Sequence, residues 1–145
     1  IPGTSWKYHY VDKAIIAPLI CFEVADDHLI RQAVTKANVL IAQTNNATYG
    51  RSAQSRQQLQ ITRSRALEHH RAIASISTVG VSAMIDSNGK ILSELTPYTT
   101  GSLRATLPLY VGVTPAGRTG LATEYLALAW AGLIALASLR RVFRR

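Results

Sequence analysis

Two short apolar runs that do not alternate set the architecture of this chain. Ala14-Ile15-Ile16-Ala17-Pro18-Leu19-Ile20 and Val39-Leu40-Ile41-Ala42-Gln43 are continuous and rich in β-branched residues. Half-buried strands alternate apolar and polar residues, whereas strands covered on both faces do not. Residues 14–21 are therefore read as one buried strand and 39–43 as a second. Asp26 and Asp27 stand where carboxylates favour the positive end of a helix dipole, which predicts a helix from about Asp27 to Lys36. The second run leads through a polar loop, residues 44–50, into a helical segment from about Ser52 to Ala72. Ser55, Leu59, Thr62, Ala66 and Ile73 recur there at helical spacing as a narrow face of mostly small residues. Residues 73–85 are β-rich, Asp86-Ser87-Asn88-Gly89 reads as a hairpin turn, and Lys90-Ile91-Leu92 reads as its partner strand. Residues 1–13 suggest an edge strand and turn. Residues 96–120, punctuated by Pro97, Pro108 and Pro115, suggest a loop. The order strand, helix, strand, helix, strand hairpin predicts an α/β layered fold.

The first run ends in Cys21-Phe22-Glu23, and Cys21 is the only cysteine among 145 residues. A lone thiol at a strand end, with a carboxylate two residues on, suits a nucleophile that attacks a carbonyl and holds the acyl group as a thioester. Free cysteine is also among the most buried residue types, and the tripeptide alone favours a structural cysteine. The rest of the chain reverses that preference. His69 and His70 are adjacent, and His9 and His28 have no ligand-spaced partners, so no metal or cofactor is expected.

The C-terminal region differs in kind. Leu121–Leu139 carries a single charge, Glu124, and is apolar all round from Leu126 to Ala137. Nineteen residues of helix span about 28 Å, close to a hydrocarbon core of roughly 30 Å. Residues 121–139 are therefore expected to cross a membrane. The basic stretch 140–145 would be cytoplasmic by the positive-inside rule, and residues 1–120 would be extracytoplasmic. Half of the +8 net charge lies in that tail, at Arg140, Arg141, Arg144 and Arg145. The pI near 10.2 therefore gives no argument for nucleic acid, and no nucleic-acid motif is present. The chain starts without an initiator methionine or a signal peptide and reads as the C-terminal piece of a longer protein, or as a mature fragment.

Pro18-Leu19-Ile20-Cys21-Phe22-Glu23, Gln43-Thr44-Asn45-Asn46-Ala47-Thr48-Tyr49-Gly50 and Arg65-Ala66-Leu67-Glu68 resemble the second half of a nitrilase-type carbon–nitrogen hydrolase domain. The loop Thr114-Pro115-Ala116-Gly117-Arg118-Thr119-Gly120 before a final hydrophobic helix is similar to the apolipoprotein N-acyltransferase family. The resemblance implies the C-terminal half of a four-layer α-β-β-α sandwich followed by one transmembrane helix, in a bacterial inner membrane. It also implies a Glu–Lys–Cys triad in which Cys21 is the nucleophile. The Glu and Lys belong upstream of the cysteine strand; Lys7 and Lys13 lie too close to it to match. The implied substrates are a phospholipid acyl donor and a diacylated apolipoprotein acceptor. Without the upstream Glu and Lys, this chain alone is expected to be catalytically incomplete.

Glu23 would support the site or form a salt bridge with an arginine. The Phe22 backbone N–H is a candidate oxyanion donor. Asn45, Asn46, Thr48 and Tyr49 lie on a loop after a strand's C-terminal end, where α/β sites form, and are expected to bind substrate. The family more often has an acidic residue and a tryptophan where this chain has Asn46 and Thr48. Arg65 and Glu68, three apart on a helix, are expected to fix that helix against the cysteine strand. Arg51, Arg56, Arg63 and Arg71 read as a solvated face, or alternatively as headgroup contacts. Two alternatives stay open: an amidase acting on small amides with water as acceptor, and an inactive membrane-tethered remnant.

Overall fold

The computed structural model describes residues 5–120 and 122–142, the last four by their backbone alone. The chain divides into two units, residues 1–114 and 115–145. In the first, six strands form one mixed sheet in the order β1 (His9–Val11), β2 (Ala14–Ile20), β3 (Val39–Thr44), β4 (Ala72–Ser77), β5 (Ser82–Ile85) and β6 (Ile91–Leu95). Strands β2, β3 and β4 are parallel, and the outer pairs are antiparallel. Helix α1 (Asp27–Val34) connects β2 to β3, and α2 (Gln54–His69) connects β3 to β4.

The register explains the core. Ala17, Leu40, Ile73 and Ile85 form one row across β2 to β5, and Leu19, Ala42, Ser75 and Ala83 form the next. Apart from Ser75, these residues join Ile30, Ala33 and Val34 of α1 and Leu59 and Ala66 of α2 in a single buried cluster. Thr62 and Ala66, both buried, keep the contact face of α2 small. The opposite sheet face is different. Ile16, Pro18, Ile41 and Met84 are half-buried there, and Ile20 and Ile76 are 66% and 48% exposed. One sheet with a helical layer on one face amounts to two of the four layers expected.

Local chemistry sets the element ends. The Asp26 carboxylate accepts the Leu29 N–H at 3.0 Å and caps α1. His70 takes a left-handed φ of 50° to close α2, a position more often held by glycine. The buried Arg71 guanidinium (2% exposed) donates to the carbonyls of Val34, Ala37, His69, His70 and Gly112, joining both helix ends to the segment that follows the sheet.

Several expectations need correction. Strand β2 stops at Ile20, and Cys21 opens a 3-10 turn, Cys21–Ala25, because its φ of 53° breaks the extended backbone. Helix α1 ends at Val34. Helix α2 is shorter than expected at both ends, and Ile73 belongs to β4. Arg71 is buried and the Arg63 Nε–H donates to the Gly89 carbonyl at 2.8 Å, so neither belongs to a solvated face. Residues 115–119 form a short helix, α3 (Pro115–Thr119), rather than loop.

The second unit also holds α4 (Ala122–Val142). No helix among the described residues is long and apolar enough to cross a membrane, so the span expected at 121–139 is not found. Leu121 and residues 143–145 of the expected tail lie outside the described residues, as do the side chains of Leu139 to Val142.

Candidate active site

Because β2, β3 and β4 are parallel, their carboxyl ends meet along one edge of the sheet, the usual place for a site in such folds. Three segments converge there: the Cys21–Ala25 turn, the loop 45–53 and the loop 78–81.

Cys21 is half-exposed and holds a left-handed backbone conformation, φ 53°. A side chain with a Cβ is strained there by about 1–2 kcal/mol, and strain of this kind gathers at functional sites. The surroundings hold it in place. The Glu23 carboxylate accepts the Ile20 N–H at 2.7 Å, bridging the last strand residue to the turn. Arg65 pins the far side of the turn: its Nε donates to the Val24 carbonyl at 3.2 Å and its Nη2 to Ala25 at 3.0 Å. The same guanidinium pairs with Glu68 at 2.6 Å and with Asp27. Among the described residues no arginine pairs with Glu23, and Arg65 and Glu68 join α2 to the segment that follows Cys21. Phe22 is exposed, and with Tyr49, Gln54, Gln57, Gln58 and Ile61 it lines a cavity of about 180 Å³ beside the cysteine turn.

The predicted loop residues separate into two sets. Asn45 accepts the Ala47 N–H and the Thr78 hydroxyl at 2.9 Å, which links the β3 loop to the β4 loop. Thr48 is exposed and Tyr49 lines the cavity. Asn46 is only 3% exposed; its amide nitrogen donates to Gln58 Oε1 at 2.7 Å and its oxygen accepts the Ser77 hydroxyl. It thus faces protein, not open space. Gln58 escaped the sequence reading. It is buried and donates to the Cys21 carbonyl at 3.3 Å. Glutamines at 54, 57, 58 and 60 look alike in the sequence, and only the packing of α2 singles out one of them.

A second cavity, of about 290 Å³, lies on the other side of the loop and is lined by Arg51, Ser52, Arg56, Gly80 and Tyr98 among others. Arg51 sits 4.5 Å from the Tyr98 ring and Arg56 lies 3.5 Å from Glu94. No group of three or more His, Cys, Asp or Glu side chains able to hold a metal occurs among the described residues. His69 is 1% exposed beside Glu68, and burial lowers its pKa below the ordinary histidine value.

The chain is 37% identical over 122 residues to apolipoprotein N-acyltransferase of Nitrosomonas europaea, covering 84% of this chain and 24% of the relative. It is 36% identical over 130 residues to the enzyme of the same name from Ralstonia nicotianae, covering 87% and 24%. The chain therefore spans about a quarter of the length of these curated relatives. Among solved structures, an amidase from Nesterenkonia superposes with a TM-score of 0.54 at 18% identity, over 70% of this chain and 41% of that one. Saccharomyces cerevisiae Nit3, of the nitrilase superfamily, gives 0.57 at 19%, over 69% and 40%. At such identities the likeness concerns the fold alone, a nitrilase-like α/β fold with a mixed sheet. The carbon-nitrogen hydrolase family pattern matches residues 1–114, the whole of the sheet-bearing unit, and the chain belongs to that family.

Proposed function

We propose that this chain forms part of a bacterial apolipoprotein N-acyltransferase, with Cys21 as the acyl-carrying nucleophile. The observation that carries the reading is the lone cysteine in a left-handed turn at the carboxyl edge of a parallel sheet, within a stretch similar to enzymes of that name. In the first step the Cys21 thiolate attacks an ester carbonyl of a phospholipid. The S–C bond forms, the ester C–O bond breaks, and the lysophospholipid leaves as an alcohol after taking up a proton. In the second step the α-amine of a diacylglyceryl-cysteine attacks the thioester. The N–C bond forms, the C–S bond breaks and the amine's proton goes to a base, leaving an amide and a free thiol.

The Phe22 N–H donates to the oxyanion in both steps, and Glu23 holds the turn that presents it. Asn45, Thr48 and Tyr49 border the substrate, while Asn46 supports the loop from beneath. The general base and the lysine implied by the family resemblance come from outside residues 1–145. Both substrates are held in a bilayer by acyl chains, so the reaction takes place at a membrane, in this reading at the extracytoplasmic face of the bacterial inner membrane. The exposed Leu126, Trp130, Leu133 and Ile134 of α4 then rest against lipid.

The test uses the full natural polypeptide in phospholipid vesicles with a diacylated lipopeptide. Mass spectrometry should find an acyl adduct on Cys21 that disappears when the lipopeptide is added, with the acyl group recovered as an amide on its amine. A folded protein that forms no adduct, or whose adduct is lost only to water, would sink the acyltransferase reading.

A further inference from the structure

The Cys21 carbonyl accepts the last bond in a chain of hydrogen bonds that all point one way. The Gly80 N–H donates to Ser77 Oγ at 2.9 Å, and the Ser77 hydroxyl donates to Asn46 Oδ1. Asn46 Nδ2 donates to Gln58 Oε1 at 2.7 Å, and Gln58 Nε2 donates to the Cys21 carbonyl at 3.3 Å. Chemistry fixes the direction. A carbonyl only accepts, so the Gln58 amide must present its nitrogen to Cys21 and its oxygen to Asn46. Asn46 then presents its nitrogen to Gln58, leaving its oxygen for the one proton of the serine hydroxyl. Thr44 Oγ1 lies 3.5 Å from the same Gln58 nitrogen. Gln58 is 6% exposed and Asn46 3%, so water does not readily replace either partner. Bonds aligned in this way polarise one another.

We propose that Gln58 is a positioning residue for acyl transfer, acting by fixing the orientation of the Cys21–Phe22 peptide. No peptide bond among the described residues is cis, so this peptide is trans and planar. Its C=O and N–H therefore point in opposite directions. Holding the Cys21 oxygen against α2 aims the Phe22 N–H away from α2 and keeps that aim through the reaction. With the oxygen released, the plane is free to rotate about the Cys21 ψ and Phe22 φ, and the donor no longer meets a developing oxyanion. Cys21 already sits in a sparsely populated backbone region, so the turn does not hold this plane by preference. The inference rests on Cys21 being the acyl-carrying nucleophile, though not on the identity of donor or acceptor.

The experiment compares two reactions of the same thiol in the full natural polypeptide. Acylation by p-nitrophenyl butyrate forms an S–C bond, expels p-nitrophenolate and passes through an oxyanion. Alkylation by iodoacetamide displaces iodide at saturated carbon and needs no oxyanion donor. Gln58→Glu keeps the size and the acceptor for Asn46 and, while its carboxyl is ionised, removes the donor to Cys21. Gln58→Met is the neutral comparison should a buried carboxylate impair folding, which thermal melting would reveal. Loss of an oxyanion donor costs about 10²–10³ in rate. A misaimed one is expected to slow acylation by roughly ten- to a hundredfold, while alkylation stays within about twofold. Unchanged acylation in both variants would overturn the proposal. So would acylation and alkylation falling together, since that marks general collapse of the turn. If wild type is acylated by the ester but never by phospholipid, the acyltransferase reading fails while the role of Gln58 stands.

Discussion

Cys21 occupies a backbone conformation that penalises any side chain with a Cβ, and its replacement separates strain from chemistry. Cys21→Ala keeps the Cβ and therefore the strain, whereas Cys21→Gly relieves it. Both variants should lose acylation. Cys21→Gly should be the more stable in urea denaturation by up to about 1 kcal/mol, despite the extra backbone entropy of glycine. Equal stability would mean that the turn is not strained. His69 offers a second test through pH. Its pKa is lowered chiefly by burial, with Arg65, Arg31 and Arg71 adding to the shift and the Glu68 carboxylate opposing it. The unfolded chain takes up this proton near pH 6.5 and the folded chain only at lower pH. Below about 6.5 the unfolded state therefore binds more protons, and stability present above that pH falls as pH drops toward the folded pKa. Melting temperatures at pH 7.5 and 5.5 should diverge in wild type and converge in His69→Leu; an unaltered pH slope in the variant would show that His69 is not the group responsible. At this scale the sequence singled out Cys21 as a candidate, because a single thiol ending an apolar run is conspicuous. It hid Gln58 and His69, whose surroundings come from residues distant along the chain, Cys21 being 37 residues from Gln58 and Arg31 being 38 from His69.

Among the elements, the turn Cys21–Ala25 and the loop after β3 are held mainly by α2. Arg65 is the clearest instance, since one planar guanidinium serves two carbonyls and two carboxylates in separate directions. Lysine keeps the charge but lacks the fork. Arg65→Lys should therefore destabilise by about 2 kcal/mol, as expected for losing one or two bonds from a charged donor. It should also slow acylation, both measurable by melting and by ester turnover. Full stability in the lysine variant would mean that the charge alone suffices. Gly80 makes the complementary case. A Cβ there would overlap Ser55 Oγ, Asn46 Oδ1 and Ser77 Oγ at once, at the start of the chain of bonds that leads to Cys21. Gly80→Ala should cost about 1–3 kcal/mol, the range for overpacking, and should slow acylation by spreading Ser77 from Asn46. The core strands were legible because their apolar runs are continuous, and the contact face of α2 was legible through Ser55, Leu59, Thr62 and Ala66. The ends were not. Cys21 left the strand because of a backbone torsion that no residue type announces, and α2 stopped at His69 because His70 turned left-handed.

For the molecule as a whole, the sheet has one finished face and one unfinished. Helices α1 and α2 seal the first, while Ile16, Pro18, Ile20, Ile41, Ile76 and Met84 line the second in positions half-buried or open. The runs that carry these residues read as strands covered on both sides, and here one side lacks a cover. The sequence therefore predicts a second covering layer, which the described residues of the sheet-bearing unit do not supply. The chain spans about a quarter of its curated relatives, which leaves ample length for such a layer in a protein of their size. Ile20 and Ile76 test this with effects of opposite sign. Placing lysine at both positions puts charge on the open face next to no acidic partner on the same row, where Gln43 lies between them. In residues 1–114 expressed alone, the change should reduce self-association and apolar-dye binding, because it breaks up an exposed apolar patch. In the full natural polypeptide the same change should destabilise the fold by several kcal/mol, because burying a charge without a partner is costly. Sedimentation of the isolated piece and melting of the whole read the two arms. A full polypeptide that tolerates both lysines would show that this face stays open to solvent there too. The apolar composition of β2 and β4 would then be set by the helices on the other side alone.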